Sequence, residues 1–376
     1  MDEKKVFDGL PASIVTEALT RGETIARSIA ESVDGWRTAA SGLRAVMKGK
    51  QAIRRIGDED YSQDPVYGIA LNAVTETLPG HAIVCAAAFG VEGLSPREAS
   101  QSVPRVSLYL DSSPVDSAAV IGAVAHERAV RMAVEIDRGI VLISGSLSGP
   151  LVSVLGTLVA ALRAKEEAVA REFLVGLKET IPALETLLSP AGNGVVIRAG
   201  IAPPGNDREL MKLFGADPGV DEQVAMSFIL EEGEFSVPLP VGNQSLDPVR
   251  NLPLADEKFA AVAGRLVSAA EDIFATYFRP YEWAPAIRIE IPGAVGKDAG
   301  AVGKLLSAIR GQFAAPKLSG PYPVHAAEAM ARSLNGVTTA LGRMSRAEIL
   351  RILENDLGKL YPLMMATGPY SGEEND

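Results

Sequence analysis

Residues 140–150 read IVLISGSLSGP. The apolar run from Ile140 to Ile143 leads straight into Ser144-Gly145-Ser146-Leu147, the pattern of a buried parallel strand ending at a tight turn in front of a helix. Strand ends of this kind are where α/β proteins place their chemistry. The residue at that station is a serine, Ser144, and SGSLSG lacks a serine flanked by glycines at the offsets of a nucleophile elbow.

Outward from this strand the period of the apolar residues sets the neighbouring elements. Upstream lies a predicted helix over about 116–137, and before it VYGIALN (66–72), HAIVCAAAFGV (81–91) and RVSLYLD (105–111) read as strands joined by turn-rich connections such as LPG at 78–80. Downstream, one long helix over about 150–187 is followed by the breaker SPAGNG and the strand VVIRAG (195–200). Strand, strand, strand, helix, strand, helix, strand defines a mixed sheet with helices packed on it, an α/β domain.

The second half continues with a loop APPGND (202–207), helices at about 207–215 and 220–231, and an extended FSVPLPV (235–241). IFATYFRP (273–280) and AIRIEIP (286–292) read as paired strands, with helices at about 297–313, 324–340 and 345–362. Ahead of the sheet, residues 11–56 read as two helices with Ile14, Ala18, Ile25 and Ile29 at helical spacing. The expected organisation is an N-terminal helical region over 1–60, one α/β body over 61–345, and a C-terminal helix with a disordered tail over 346–376.

Composition limits the function. The formal net charge of −11 argues against a protein that coats nucleic acid by itself, because phosphate binding wants a surplus of Lys and Arg. Basic residues do gather at Arg44, Lys48, Lys50, Arg54 and Arg55, as a solvated face or as a contact for DNA or a partner. Arg198 and Tyr322 are further contact candidates, although a ring between two prolines also serves simply to pack a helix start. Cys85 is the only cysteine, which rules out an internal disulfide and a cysteine-built zinc site and suits a reducing cytoplasm. The N-terminus MDEKKVFDGL is polar where a signal peptide is apolar, and the apolar run 139–162 is broken by Ser, Gly and Pro, so no membrane span is expected.

Several familiar motifs fail on spacing. GAVGKDAGAVGK (293–304) has Asp298 where a phosphate loop requires glycine, and a glycine-rich helix start is the plainer reading. His126-Glu127 has no second histidine four residues on, so it is not a zincin helix. A different constellation fits the element order. Asn72 ends the first strand, Glu127 lies in the first crossover helix, and Ser144 ends the fourth strand. In ribonuclease-H-like folds acidic residues at such stations, with one from a later helix, hold divalent metals for phosphodiester cleavage.

The chain resembles the NurA family of nucleases, which work with the hexameric HerA translocase on DNA ends. The resemblance covers most of residues 66–340. IALNAVTETLPGHAIVCAAA is similar to the family's first strand and hairpin, with Asn72-Ala73-Val74 where a D-G-S triplet normally stands. AHERAVRMAVEIDRGIVLISGSL resembles its glutamate-bearing helix and following strand, with Glu127 matching the glutamate and Ser144 replacing the aspartate of D-G-S-L. DEQVAMSFILEEGEFSVPLPV resembles the segment around its L-x-P-G-E turn, and YFRPYEWAPAIRIEIP its late paired strands. PYPVHAAEAMA resembles its Y-P-x-P-L helix start, with Glu328 where a late Asp or His stands.

The resemblance implies a ribonuclease-H-like fold, a homodimer whose channel continues that of a HerA-type hexameric ATPase, and action on duplex DNA in repair or antiphage defence. It also implies a degraded metal site. With Asn72 and Ser144 neutral, only Glu127 and Glu328 remain as carboxylates, so the subunit's role would be structural or regulatory, without a cofactor. The alternative is an active nuclease in which Glu127, Glu328 and Asp111 or Asp221 hold a single Mn²⁺ or Mg²⁺. From the residues alone, Glu127 also reads as a surface glutamate paired with Arg131, Ser144 as a turn residue, and Asp111 as a helix cap.

Overall fold

The computed structural model describes residues 11–57, 64–78, 81–94, 104–113, 120–188, 196–203, 221–240, 246, 250, 257–316, 318 and 320–353. The expected helix at 207–215, the breaker at 189–194, much of 345–362 and the tail lie outside these residues. The chain builds a mixed sheet flanked by helices on both faces. Its strands are β1 (Ile53–Arg55), β2 (Val66–Leu78), β3 (His81–Glu92), β4 (Arg105–Ser113), β5 (Gly139–Ser144), β6 (Val196–Ala202), β7 (Glu234–Ser236), β8 (Leu239–Pro240), β9 (Ile273–Arg279) and β10 (Ile287–Pro292). They lie in the order β1-β7-β9-β10-β6-β5-β2-β3-β4, with β8 beside β9. β5 runs parallel to both β2 and β6, and the remaining pairings are antiparallel.

The helices are α1 (Ala12–Gly49), α2 (Ile121–Glu135), α3 (Gly149–Arg163), α4 (Ala168–Leu188), α5 (Glu222–Ile229), α6 (Glu257–Glu271), α7 (Gly293–Gly296), α8 (Ala299–Arg310) and α9 (Tyr322–Leu353). Strand alternation divides the core between the two sheet faces. Val141 and Ile143 of β5 join Ile69, Val84 and Ala86 beneath α2, α3, α4 and α6. Ile140 and Leu142 face the other way, with Ile287, Ile289 and Ile291, against α8 and the start of α9. Farther along that second face, α9 covers Ala70, Cys85 and Ala87 through Ala327, Ala331 and Leu334. α1 and α5 pack together near β9 around Leu43, Met47, Met226 and Tyr277.

Several expected elements are corrected. Residues 11–56 form one helix and a strand rather than two helices; α1 closes at Lys50, and Gln51 adopts a left-handed φ of 54° before β1 begins. The helix expected over 150–187 is two, α3 and α4. The helices expected at 324–340 and 345–362 are continuous through Leu353. Asp111 is not a helix cap: it sits within β4, where its carboxylate accepts from the Ser112 N–H at 2.7 Å. GAVGKDAGAVGK is a helix start as expected, with Asp298 capping α8 by accepting from Gly300 N at 2.9 Å and Ala301 N at 3.2 Å. Among the described residues no helix is long and apolar enough to cross a membrane.

Candidate functional site

The parallel strands β5 and β6 end side by side at Ser144 and Ala202, and the chain then turns sharply toward α3. Gly145 makes that turn at φ +106°, a conformation that a β-carbon disfavours, and its N–H donates to Ile201 O at 2.9 Å. The turn is braced from beneath by Glu290 of β10, which accepts from Leu147 N at 2.9 Å and Ser146 Oγ at 2.7 Å. Arg288 stands 3.0 Å from the same carboxylate. Glu290 was not among the candidates, yet its signal is in the sequence: IRIEIP sets Arg288 and Glu290 on one face of a strand whose other face is isoleucine.

Ser144 shares its face with Ile140 and Leu142, so its side chain points toward α9. There its hydroxyl donates to Glu328 Oε1 at 2.6 Å. Arg332, one turn further along α9, lies 3.6 Å from the other carboxylate oxygen. Ser144 and Glu328 line a cleft of about 350 Å³ together with Gly145, Gln223, Ile201 and His325. It opens beyond the carboxyl ends of the parallel strands, the usual station for a site on such a sheet. Tyr322, half-buried, begins α9 without lining the cleft, and anchors the helix by donating its N–H to Gln312 O at 2.8 Å.

Close approach of α9 to the sheet depends on Gly68: a β-carbon there would meet the backbone of Pro323 at 2.2 Å. Asn72, further along β2, also faces α9. Its amide donates to Ala331 O at 2.9 Å and Asn335 Oδ1 at 3.0 Å. It therefore fastens the helix about one to two turns beyond the Ser144–Glu328 contact.

Glu127 is not brought to this group. It lies on α2, on the opposite face of the sheet from Ser144, and is 1% exposed. Its carboxylate is wedged against α4, where a β-carbon on Gly176 would sit 2.8 Å from Oε2, and Oε1 has no hydrogen-bond partner. Burial drives its pKa up to about 8, against weaker opposing pulls from Arg131 and Thr180. The surface pairing of Glu127 with Arg131 is also corrected, because Arg131 reaches Glu179 at 2.9 Å instead.

A pair of divalent cations needs several carboxylates in one place. The cleft supplies one carboxylate (Glu328), one imidazole (His325) and neutral oxygens. Among the described residues no three His, Cys, Asp or Glu side chains are grouped to hold a metal. Asp221 is engaged as the cap of α5, accepting from Gln223 N at 2.8 Å, and Asp111 lies in β4. Among the described residues, then, the cleft does not gather the several carboxylates that a pair of Mn²⁺ or Mg²⁺ ions would need.

Of the basic cluster, Arg44 and Arg55 are engaged with acids of the chain. Arg44 grips Glu234 through both terminal nitrogens, at 2.6 and 3.0 Å, reaches Glu231 at 2.7 Å, and donates to Ile229 O. Arg55 pairs with Glu231 at 3.1 Å. Lys48, Lys50 and Arg54 are exposed. Arg198 is corrected as a contact residue: it is buried, and donates to Ala133 O and Ile136 O at 3.3 Å, holding the end of α2. Burial lowers its pKa.

This sheet and its flanking helices form a NurA-like, ribonuclease-H-like fold. The chain superposes on the NurA nuclease from Sulfolobus solfataricus with a TM-score of 0.52, covering 93% of this chain and 98% of that one at 14% identity. It superposes on a structure of NurA with manganese with a TM-score of 0.51, covering 85% and 98% at 12% identity. No protein-family model and no curated protein sequence matches the chain.

Proposed function

We propose that this chain is a NurA-like subunit that works as a homodimer beside a HerA-type hexameric translocase on duplex DNA, in end processing or antiphage defence. In this reading its own nuclease site is degraded and its role is structural or regulatory. The observation that carries the proposal is Ser144. At the end of a parallel strand, at the mouth of the cleft, a neutral hydroxyl is spent on the carboxylate of Glu328. A nuclease would gather negative charge there to clamp cations.

The remaining chemistry agrees. Asn72 is committed to α9, and Glu127 is sealed behind the sheet in an environment that favours its neutral form. The net charge of −11 suits a subunit that leaves the grip on DNA to a partner. Such a subunit would shape the channel, gate the motor or recruit a separate nuclease.

The test incubates the protein with linear duplex DNA and Mn²⁺, alone and with a HerA-type hexameric ATPase. The expected result is no cleavage, a stable complex and altered ATP turnover by the motor. Cleavage that disappears in Glu328→Ala or Glu127→Ala would overturn the proposal in favour of an active nuclease. Asn72→Asp combined with Ser144→Asp asks whether restored carboxylates create Mn²⁺-dependent cleavage from none.

A further inference from the structure

β4 closes one side of the sheet, and among the described residues nothing pairs with its outer edge. An edge strand leaves a row of backbone N–H and C=O groups without partners, and proteins usually guard such a row with Lys, Pro or a bulge. β4 carries no such guard: RVSLYLDSS holds no Lys or Pro, and its pairing with β3 runs unbroken from Arg105 to Ser113. The edge is therefore competent to take one more strand.

The two faces of β4 define what that strand must carry. On the α9 side Val106, Leu108 and Leu110 are exposed, although Phe89, Ala87 and Cys85 across from them on β3 pack with α9. The apolar surface thus runs one strand, about 4.8 Å, beyond the helix that covers it. On the other side a pocket of about 450 Å³ opens beside Arg105 and Ser107, between β4, α2 and α4. Its guanidiniums lie inward and its carboxylates lie at the rim: the Arg128 side chain is 13% exposed, whereas that of Glu179 is 73% exposed and Glu135 is exposed too. Arg128 donates to Ser107 Oγ at 2.9 Å and to Glu172 at 2.6 Å, yet its Nε is buried without an acceptor. Arg105 is exposed and makes no ion pair among the described residues. A carboxylate entering this pocket meets donors from Arg105, Arg128 and Arg131. The chain's own candidate is turned away. Asp111, which a second copy of β4 laid antiparallel about Leu108 would bring opposite Arg105, is held by its own Ser112 N–H at 2.7 Å and by the Tyr109 hydroxyl at 3.3 Å.

We propose that the outer edge of β4 binds an extended acidic segment of a partner protein as an added strand. A carboxylate of that segment enters the pocket beside Arg105, Arg128 and Arg131, and apolar residues at alternate positions lie beside Val106 and Leu108. Main-chain pairing supplies the affinity, and the two faces supply the specificity. The site goes beyond the proposed function and does not depend on the state of the Ser144 cleft, because β2 and β3 separate β4 from β5.

The test titrates the full chain into a fluorescein-labelled heptapeptide in which Val alternates with Glu, read by anisotropy, with the Val–Lys peptide as control. The expected results are saturable binding of the Glu peptide, slowed amide exchange across residues 105–113, and no binding of the Lys peptide. Arg105→Glu, with thermal unfolding unchanged, should weaken binding by roughly tenfold or more. Methylating the peptide's backbone nitrogens at the Val positions or at the Glu positions should abolish binding in one case and spare it in the other, since only one edge of an added strand faces β4. No binding, equal binding of the Lys peptide, or binding that ignores both methylations would overturn the proposal. A Leu108→Cys chain that forms a disulfide with a second copy, Cys85 being buried, would overturn it in favour of self-pairing.

Discussion

Ser144 Oγ donates to Glu328 Oε1 across 2.6 Å, joining the end of β5 to α9 over a sequence separation of 184 residues. The carboxylate side chain is 36% exposed and has Arg332 at 3.6 Å, so it is not stranded when the hydroxyl is removed. Ser144→Ala should cost about 1 kcal/mol in urea denaturation. Ser144→Asp should cost more near neutral pH, because a second carboxylate faces the first, and should recover as pH falls and one of the pair takes a proton. A loss independent of pH would show that Glu328 turns away in the variant.

Gly68→Ala tests the seating of α9. The added carbon meets Pro323 C at 2.2 Å and Val324 N at 2.3 Å, backbone atoms that cannot rotate aside. α9 must move off β2, and Glu328 moves with it. The expected destabilisation is roughly 2 kcal/mol or more, with faster amide exchange at the start of α9. Unchanged exchange there would mean that β2 yields instead.

The sheet was legible because β5 is a continuous apolar run bounded by turn residues, and because IFATYFRP and AIRIEIP pair as their patterns predict. The break between α3 and α4 was not, since Ala164, Lys165, Glu166 and Glu167 are all good helix formers and the bend is set by packing. α6 went unread although Ala263, Leu266 and Ala270 carry its buried spacing. The direction of Glu127 was hidden for another reason. α2 is buried almost all round by small residues, so its sequence has no phase to say which way one glutamate points. Ser144 does end its strand, but Asn72, expected to end the first strand, lies in the middle of β2, which runs on to Leu78; the partners of both on α9 lie far off in sequence and were fixed only by the fold.

Arg44 and Glu234 fasten α1 to the edge of the sheet. Glu234 is 6% exposed; burial pushes its pKa up, but the Arg44 guanidinium and the Glu231 N–H outweigh this and hold it below the usual value. Arg44→Ala would leave the buried carboxylate only the more distant, exposed Arg55, at 3.7 Å, and should cost up to about 3 kcal/mol. Adding Glu234→Gln should restore a good part of that loss, because the stranded charge is then gone. Equal stabilities for the single and double variants in denaturant titrations would show that lost packing, not the stranded charge, sets the cost.

Glu127 gives the fold a pH dependence of opposite sign to that of a paired carboxylate. Its pKa rises from 4.5 to about 8 on folding, first because burial penalises the charge. Below pH 4.5 it is neutral in both states and costs nothing. Between 4.5 and about 8 the folded chain binds the extra proton, so stability falls as pH rises and then levels off. The full shift corresponds to an upper bound of about 4–5 kcal/mol. Glu127→Gln keeps the shape beside Gly176 and removes the titration. The variant should match the wild type at low pH and exceed it by a few kcal/mol near pH 8, as read from urea midpoints across the range. A wild type whose stability does not fall over that window would mean that water or a cation reaches the carboxylate from outside.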